Sequence, residues 1–156
     1  MKVAFGNIQD AEASAKAKQS LMANDCISVL IQLLECDSLG PELPGGENFD
    51  IWDKNGPEIR YKYQLMAEAA LALRRMMEIG QNEKFFGRKR IQKAVSEGAI
   101  EALIPHLYCT GCAAQYACGA LKLIASFEDY RQHIIDAGAL KHLCIMLNSD
   151  AVAKKS

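Results

Sequence analysis

Two stretches of the chain carry the same apolar pattern, forty positions apart. In each stretch a glycine is followed by apolar residues with a helical spacing. The first has Gly98 followed by Ile100, Leu103, Ile104 and Leu107, and the second has Gly138 followed by Leu140, Leu143, Cys144 and Leu147. Residues spaced i, i+3, i+4 and i+7 share one face of a helix. The pattern therefore predicts two equivalent helices, each of which begins directly after a sharp corner.

A third, weaker copy lies near the start of the chain. Asp25 takes the place of the glycines, and the apolar positions that follow it are Ile27, Leu30, Ile31 and Leu34. Asp and Asn adopt the left-handed backbone conformation more readily than most residues other than glycine. We therefore expect Asp25 to form the same kind of corner.

A second element also repeats. The stretch with Ala69, Ala72, Leu73 and Met76 returns 48 positions later as Ala117, Ala120, Leu121 and Ile124. Small alanine side chains on this face allow neighbouring helices to approach closely. Other helical patterns predict helices over about Asp10–Ala23, Cys26–Cys36, Glu58–Met77, Glu83–Ser96 and Glu128–Ala137. Residues 37–57 are rich in Gly, Pro and Asn and are predicted to form a long insertion.

The two corner helices, each joined to an alanine-rich helix of the form Ala-x-x-Ala-Leu, resemble armadillo repeats. The resemblance implies an all-α fold, an alpha-alpha superhelix of the right-handed armadillo type. The implied domain covers residues 11–150, between tails at 1–10 and 150–156. It divides into a repeat at 11–79 with its insertion, a second repeat at 82–126 and a partial third at 128–148.

The armadillo family binds extended peptides and protein surfaces in a groove, so the resemblance implies a non-catalytic interaction module, an adaptor or a subunit. In importin-alpha and catenin relatives the groove helix presents a Trp and, four residues later, an Asn. The matching positions hold Leu71 and Gly119 for Trp, and Arg75 and Leu123 for Asn. We therefore expect the scaffold and the groove but not the asparagine contacts. The predicted partner-binding residues are Gln64, Glu68, Leu71, Arg74, Arg75, Gln115, Gly119, Lys122, Leu123 and Trp52.

The chemistry of these positions leaves alternatives open. Arg75, with Arg74 nearby, suits a carboxylate and so favours acidic peptide ligands, although an arginine on a solvated helix face is the simpler interpretation. Gly119 either leaves room for an incoming backbone or allows close packing against a neighbouring helix. Trp52 is a candidate anchor within the acidic insertion, which either docks on a basic surface or has no binding role.

A basic run at Lys84, Arg88-Lys-Arg90 and Lys93 suggests nucleic-acid binding as an alternative function. The net charge of the 156 residues is −1, which gives no global attraction to nucleic acid. The run also falls on an amphipathic helix whose inward residues would be Ile91, Ala94 and Val95. We therefore expect the run to form a solvated outer face.

The remaining features set limits on other functions. The chain has six cysteines and no recognisable secretory signal, so we expect reduced thiols and a cytoplasmic or nuclear location. No stretch of about 18 apolar residues predicts a membrane span. His106, Cys109 and Cys112 suggest zinc or redox chemistry, but a structural zinc needs four convergent ligands, and no cofactor is expected.

Two further expectations concern the second repeat and the end of the array. Pro105 lies inside a predicted helix, where it removes a backbone donor and should bend the helix. The last helix, at 140–147, is apolar around most of its circumference. It should therefore pack against further repeats or another subunit, which predicts a role within a larger assembly or an oligomer.

No catalytic motif is recognisable, so we expect that the protein is not an enzyme.

Overall fold

The computed structural model describes residues 3–35, 57–80, 84–108 and 112–144. All regular structure in these ranges is helical, so the predicted all-α class is confirmed. The α-helices are α1 (Val3–Ala23), α2 (Cys26–Leu34), α3 (Pro57–Met77), α4 (Lys84–Ser96), α5 (Ala99–Leu103), α6 (Cys112–Ala125) and α7 (Arg131–Asp136). Short 3-10 helices at Ile104–Tyr108 and Glu128–Tyr130 follow α5 and precede α7, and a last helical segment occupies 139–144. Within the described ranges no helix is long and apolar enough to cross a membrane.

The first helix is longer than the sequence predicts. Helix α1 begins at Val3 rather than Asp10, so the prediction of a tail over residues 1–10 is wrong for residues 3–10. Gly6 is the weakest helix former in this stretch and costs only about 1 kcal/mol relative to Ala. This cost is too small to end the helix, because none of the other positions holds a helix-breaking residue.

The three predicted corners share one backbone conformation. Asp25, Gly98 and Gly138 have φ angles of 52°, 90° and 87°, all in the left-handed region. At each corner the amide donates to the carbonyl three residues earlier, as from Gly98 N to Val95 O at 3.1 Å and from Gly138 N to Ile135 O at 2.9 Å. The sequence repeat therefore corresponds to a repeated turn of the chain.

Helices that the repeat makes equivalent pack beside one another. Helix α2 contacts α5, and α3 lies along α6 in the most extensive helix interface of the described residues. The alanines at the centre of this interface, including Ala70, Ala117 and Ala120, are completely buried. Because alanine adds little bulk, the two backbones can approach closely. The core around the interface includes Ile27, Leu73, Met77, Ile91, Ile100, Leu103 and Ile124.

Helix α5 is short because Pro105 follows it. The α-helix ends at Leu103, and the chain continues as the 3-10 helix Ile104–Tyr108. Proline has no amide hydrogen for an intrahelical bond and its ring displaces the carbonyl of the preceding turn. The proline therefore lies where the α-helix gives way to a tighter 3-10 helix, and the predicted bend stays a prediction.

Arg90 does not lie on the outer face of α4. It is completely buried, and it donates from Nε to Met76 O at 2.6 Å and from an Nη to Glu78 O at 3.1 Å. These carbonyls belong to the end of α3, which its own helix leaves without amide donors. The prediction that the whole basic run is solvated is thus wrong at Arg90. Lys18 of α1 donates to the same Glu78 O at 3.1 Å, so α1, α3 and α4 meet at this point.

We expect Gly138→Ala to lower the free energy of unfolding by about 1–2 kcal/mol, because an L-residue other than Asn or Asp is strained in the left-handed region. A Cβ at Gly138 would meet no atom within 4 Å, so the loss measures the backbone cost alone. Urea denaturation of the full chain gives the value. Ala139→Gly is unsuitable as a control because Ala139 is buried, whereas the exposed Ala23→Gly reports an ordinary helix-end substitution. An unchanged midpoint for Gly138→Ala would contradict the left-handed corner.

Arg90→Met keeps most of the buried stem but removes the donors to the α3 carbonyls. We expect a loss of about 2 kcal/mol or more in unfolding free energy, since the Met76 carbonyl loses its buried, charged donor while Lys18 still donates to the Glu78 carbonyl. Lys18→Met removes the partly exposed donor to the same Glu78 carbonyl and should cost about 1 kcal/mol or less. Thermal and urea denaturation compare the two variants. Equal losses would show that burial of the guanidinium does not matter.

Candidate functional site

The candidate site is the outer surface of α3 and α6, the two alanine-rich helices. On α3 the side chains of Gln64, Glu68 and Arg75 are exposed, and on α6 those of Gln115 and Lys122 are exposed. They are exposed because the opposite face of each helix is buried in the interface between α3 and α6. On α3, for example, this buried face includes Leu73. The structure therefore places the predicted polar groove residues on two neighbouring helices. Trp52 lies outside the described residues.

Arg74 and Gly119 are in direct contact across the two helices. A Cβ built at Gly119 would lie 2.9 Å from Arg74 Cδ and 3.0 Å from Arg74 Nε. The space that glycine leaves open is thus filled by the arginine side chain. Of the two interpretations of Gly119, close packing against a neighbouring helix describes this structure. The guanidinium is held from its other side by Glu78, with Nε to Oε1 at 3.6 Å.

The contact brings several cations together at one end of the surface. Arg75 follows Arg74 in the last turn of α3, and Lys122 is three residues beyond Gly119, which is less than one helical turn. Among the residues that the structure describes, neither Arg75 nor Lys122 has an ion-pair partner. Arg74, by contrast, shares its charge with Glu78. Two uncompensated positive charges therefore face solvent beside the Arg74 contact.

Apolar side chains lie between these charges and the core. Leu71 and Leu123 are half-buried, and Leu123 packs against the core cluster. A half-buried leucine offers a contact for another apolar group while staying fixed by its own packing. The surface therefore combines a partly apolar base with amides at Gln64 and Gln115 and cations at the opposite end.

His106 is a buried link between the first two corner helices. Its Nε2 lies 3.1 Å from Leu34 O at the end of α2, so the neutral ring donates this hydrogen bond when Nε2 carries the proton. Burial lowers the pKa of His106 below its ordinary value, and the hydrogen bond to the Leu34 carbonyl opposes this in part. The side chain is used in packing between the repeats.

The residues considered for zinc or redox chemistry do not converge in the described ranges. No group of three or more His, Cys, Asp or Glu side chains there could hold a metal ion. Cys112 is an exposed free thiol, and Cys109 lies outside the described residues. The buried position of His106 directs its ring to the Leu34 carbonyl instead.

Two features of α4 were missed in the sequence analysis. Arg90 is buried, and Phe85 and Phe86 are exposed. The helical period contains the signal for both, because Gly87, Arg90, Ile91 and Ala94 are spaced i, i+3, i+4 and i+7 and form the buried face. Because the run is strongly basic, the whole of it was expected to form a solvated face, and this pattern was not recognised.

We expect the free energy of unfolding to fall as the pH drops below about 6.5, the ordinary pKa of histidine. Since the pKa of His106 is lowered in the folded protein, the unfolded chain binds the proton more readily in this range. The stability is fully present above the unfolded pKa and decreases toward the folded pKa. His106→Gln, whose amide can still donate to Leu34 O, should show a flatter pH dependence. Urea denaturation of both proteins at several pH values tests this, and parallel profiles would contradict it.

The chain was also compared with known proteins. No protein-family model matches it, and no match is found among curated proteins or solved structures. The resemblance to armadillo repeats therefore stays a prediction from the sequence.

Proposed function

We propose that the chain is a short armadillo-type right-handed superhelix that binds a protein segment and catalyses no reaction. The segment would lie across the outer surface of α3 and α6 and would carry acidic side chains. The protein would then serve as an adaptor, a regulator or a subunit of a larger assembly.

The repeated geometry supports the superhelical part of this proposal. The corners at Asp25, Gly98 and Gly138 have the same handedness, and α2 and α3 pack beside their sequence equivalents α5 and α6. Repeat arrays are built when each unit buries its apolar face on the next. Continued stacking of this kind leaves the outer surfaces of equivalent helices side by side.

One observation carries the functional part: within the described ranges, the exposed surface of α3 and α6 has cations without ion-pair partners and half-buried leucines on the same two helices. Arg75 is suited to a carboxylate because its planar guanidinium can donate two parallel hydrogen bonds. An exposed ion pair contributes only about 1 kcal/mol or less. Binding therefore also requires apolar contact with Leu71 and Leu123, and polar contact of the ligand with Gln64 and Gln115.

Binding of nucleic acid through the basic run is the less favoured function. Arg90 is buried, Arg88 is paired with Asp129 at 3.0 Å, and Lys93 is paired with Asp25 at 3.0 Å. Fewer cations are thus available to phosphates than the sequence suggests. Since binding to nucleic acid depends steeply on salt concentration, a salt titration separates this function from peptide binding.

The role in an assembly or oligomer stays a prediction. Ile135, in the last turn of α7, is 44% exposed, and Leu140, in the helical segment 139–144, is 50% exposed. Exposed apolar groups at the end of a stacked array support a further contact there. Residues 145–147 of the predicted last helix lie outside the described residues.

We expect Arg75→Glu combined with Lys122→Glu to weaken binding of acidic peptides by about tenfold or more, which corresponds to about 1.4 kcal/mol. Fluorescence anisotropy with a panel of labelled peptides measures this, each acidic peptide being paired with its Asn and Gln counterpart. The matched control is Lys16→Glu combined with Lys141→Glu, which makes the same charge change at exposed residues elsewhere. The proposal would be overturned if the two double variants lost affinity equally, or if no acidic peptide bound better than its neutral counterpart.

A further inference from the structure

A second surface of the protein, on α4, presents two phenylalanines to solvent. Phe85 is 67% exposed and Phe86 is 46% exposed. The other aromatic side chains of described burial, Tyr116, Phe127 and Tyr130, are half-buried against the core. A single exposed apolar side chain is ordinary, but two adjacent aromatic rings form a patch of the kind found in binding surfaces.

These rings cannot turn into the core, because the inner face of α4 is already filled. Ile91 and Ala94 are completely buried, and Arg90 occupies the space at the end of α3. Gly87 is closed off by Ile79, since a Cβ there would lie 2.5 Å from Ile79 Cγ1. Ile79 is itself 37% exposed and adds to the apolar area next to Phe86. The phenylalanines are therefore surface residues that the fold does not use for its core.

The patch is held in place by its own contacts. The Phe85 and Phe86 rings meet edge to face with centroids 5.6 Å apart, and Lys89 Nζ lies 4.6 Å from the Phe85 centroid. Arg88 is fixed over the Phe127 ring at 5.5 Å and by Asp129. Side chains that are already ordered lose less conformational entropy when a partner binds. The side chains of the patch are thus ordered before a ligand binds.

The charge around the rings is positive. Lys84 precedes the two phenylalanines on α4 and Arg88 and Lys89 follow within one helical turn, and no acidic residue occupies the first turn of α4. The positive end of the helix dipole lies at the same place, so it adds to the field of the cations. Glu83, which precedes the helix, lies outside the described residues. Among the described residues, Lys84 and Lys89 have no ion-pair partner, and their charges are available to a ligand.

We infer that the α4 patch, formed by Lys84, Phe85, Phe86, Arg88 and Lys89, docks an amphipathic segment of a partner protein whose apolar side chains are flanked by Asp or Glu. The apolar side chains cover the two rings, and the carboxylates lie beside Lys84 and Lys89. Aromatic residues commonly act as anchors in such interfaces, and charge complementarity orients the partner. This patch is on a different helix from the α3 and α6 surface, so it does not depend on the proposed groove.

An anionic membrane is a less suitable occupant than a protein segment. Asp129 is paired with Arg88, and Glu128, its neighbour in the chain, is paired with Arg131; the two acidic side chains are 68% and 85% exposed. A flat, negatively charged lipid surface that covered the patch would bring its headgroups toward these carboxylates. A narrow peptide can contact the rings and the lysines while avoiding them. The local charge pattern therefore favours a partner of limited width.

The test uses the full chain and a labelled synthetic helix with Leu and Phe on one face and Glu on both flanks. Phe85→Ala combined with Phe86→Ala should weaken its binding about tenfold or more. Lys84→Glu combined with Lys89→Glu should do the same, and replacing Glu by Lys in the peptide should restore binding to that variant. The matched control is Lys16→Glu combined with Lys141→Glu, which makes the same charge change at exposed residues elsewhere and should bind within about twofold of the original chain. The groove variant, Arg75→Glu combined with Lys122→Glu, is measured beside it. Circular dichroism melting curves verify that each variant is folded.

The outcomes separate the two surfaces. Loss of binding only in the groove variant would overturn the inference about α4 and leave the proposed function standing. Absence of binding to this peptide, or equal binding by its Gln counterpart, would also overturn it. Co-sedimentation with vesicles containing about one third phosphatidylserine, abolished by Phe85→Ala with Phe86→Ala, would identify a membrane as the occupant and overturn it as well.

Discussion

The left-handed corner is the constraint on which the arrangement of helices depends. It changes the direction of the chain within two turn residues, after which the following helix begins at once. Asp25 shows that the geometry outweighs the preference for glycine. Its side chain also accepts a hydrogen bond from Lys93 Nζ at 3.0 Å, a contact that raises the pKa of Lys93 and ties the first corner to α4. Without the corners, α2 and α5 could not begin as equivalent neighbours.

A second constraint acts at the other end of the helix pairs, where α3 stops. Its last carbonyls need donors, and they receive them from Arg90 of α4 and Lys18 of α1. A buried arginine is expensive unless its donors are satisfied, so the position of α4 is specified by polar geometry as well as by apolar packing. With α4 fixed in this way, Phe85 and Phe86 are held on the outside and the α3 surface ends beside Arg74 and Arg75.

The sequence predicts those parts of the fold that local patterns determine. The corners at 25, 98 and 138 and the alanine-rich interface follow from backbone preference or helical period. The start of α1, the burial of Arg90 and the position of Arg74 over Gly119 depend on neighbours distant in the chain. For the candidate site, the period identifies which side chains of α3 and α6 are exposed. It does not reveal that Arg75 and Lys122 have no ion-pair partner among the described residues, because pairing depends on the packed structure.

The contact between Arg74 and Gly119 links the two repeats in their evolution. A side chain at 119 needs the space that the arginine stem occupies, and a shorter residue at 74 would leave that space open. A change at one position therefore alters the selection acting on the other. The two equivalent helices therefore carry complementary residues at this contact, one long and charged and the other without a side chain.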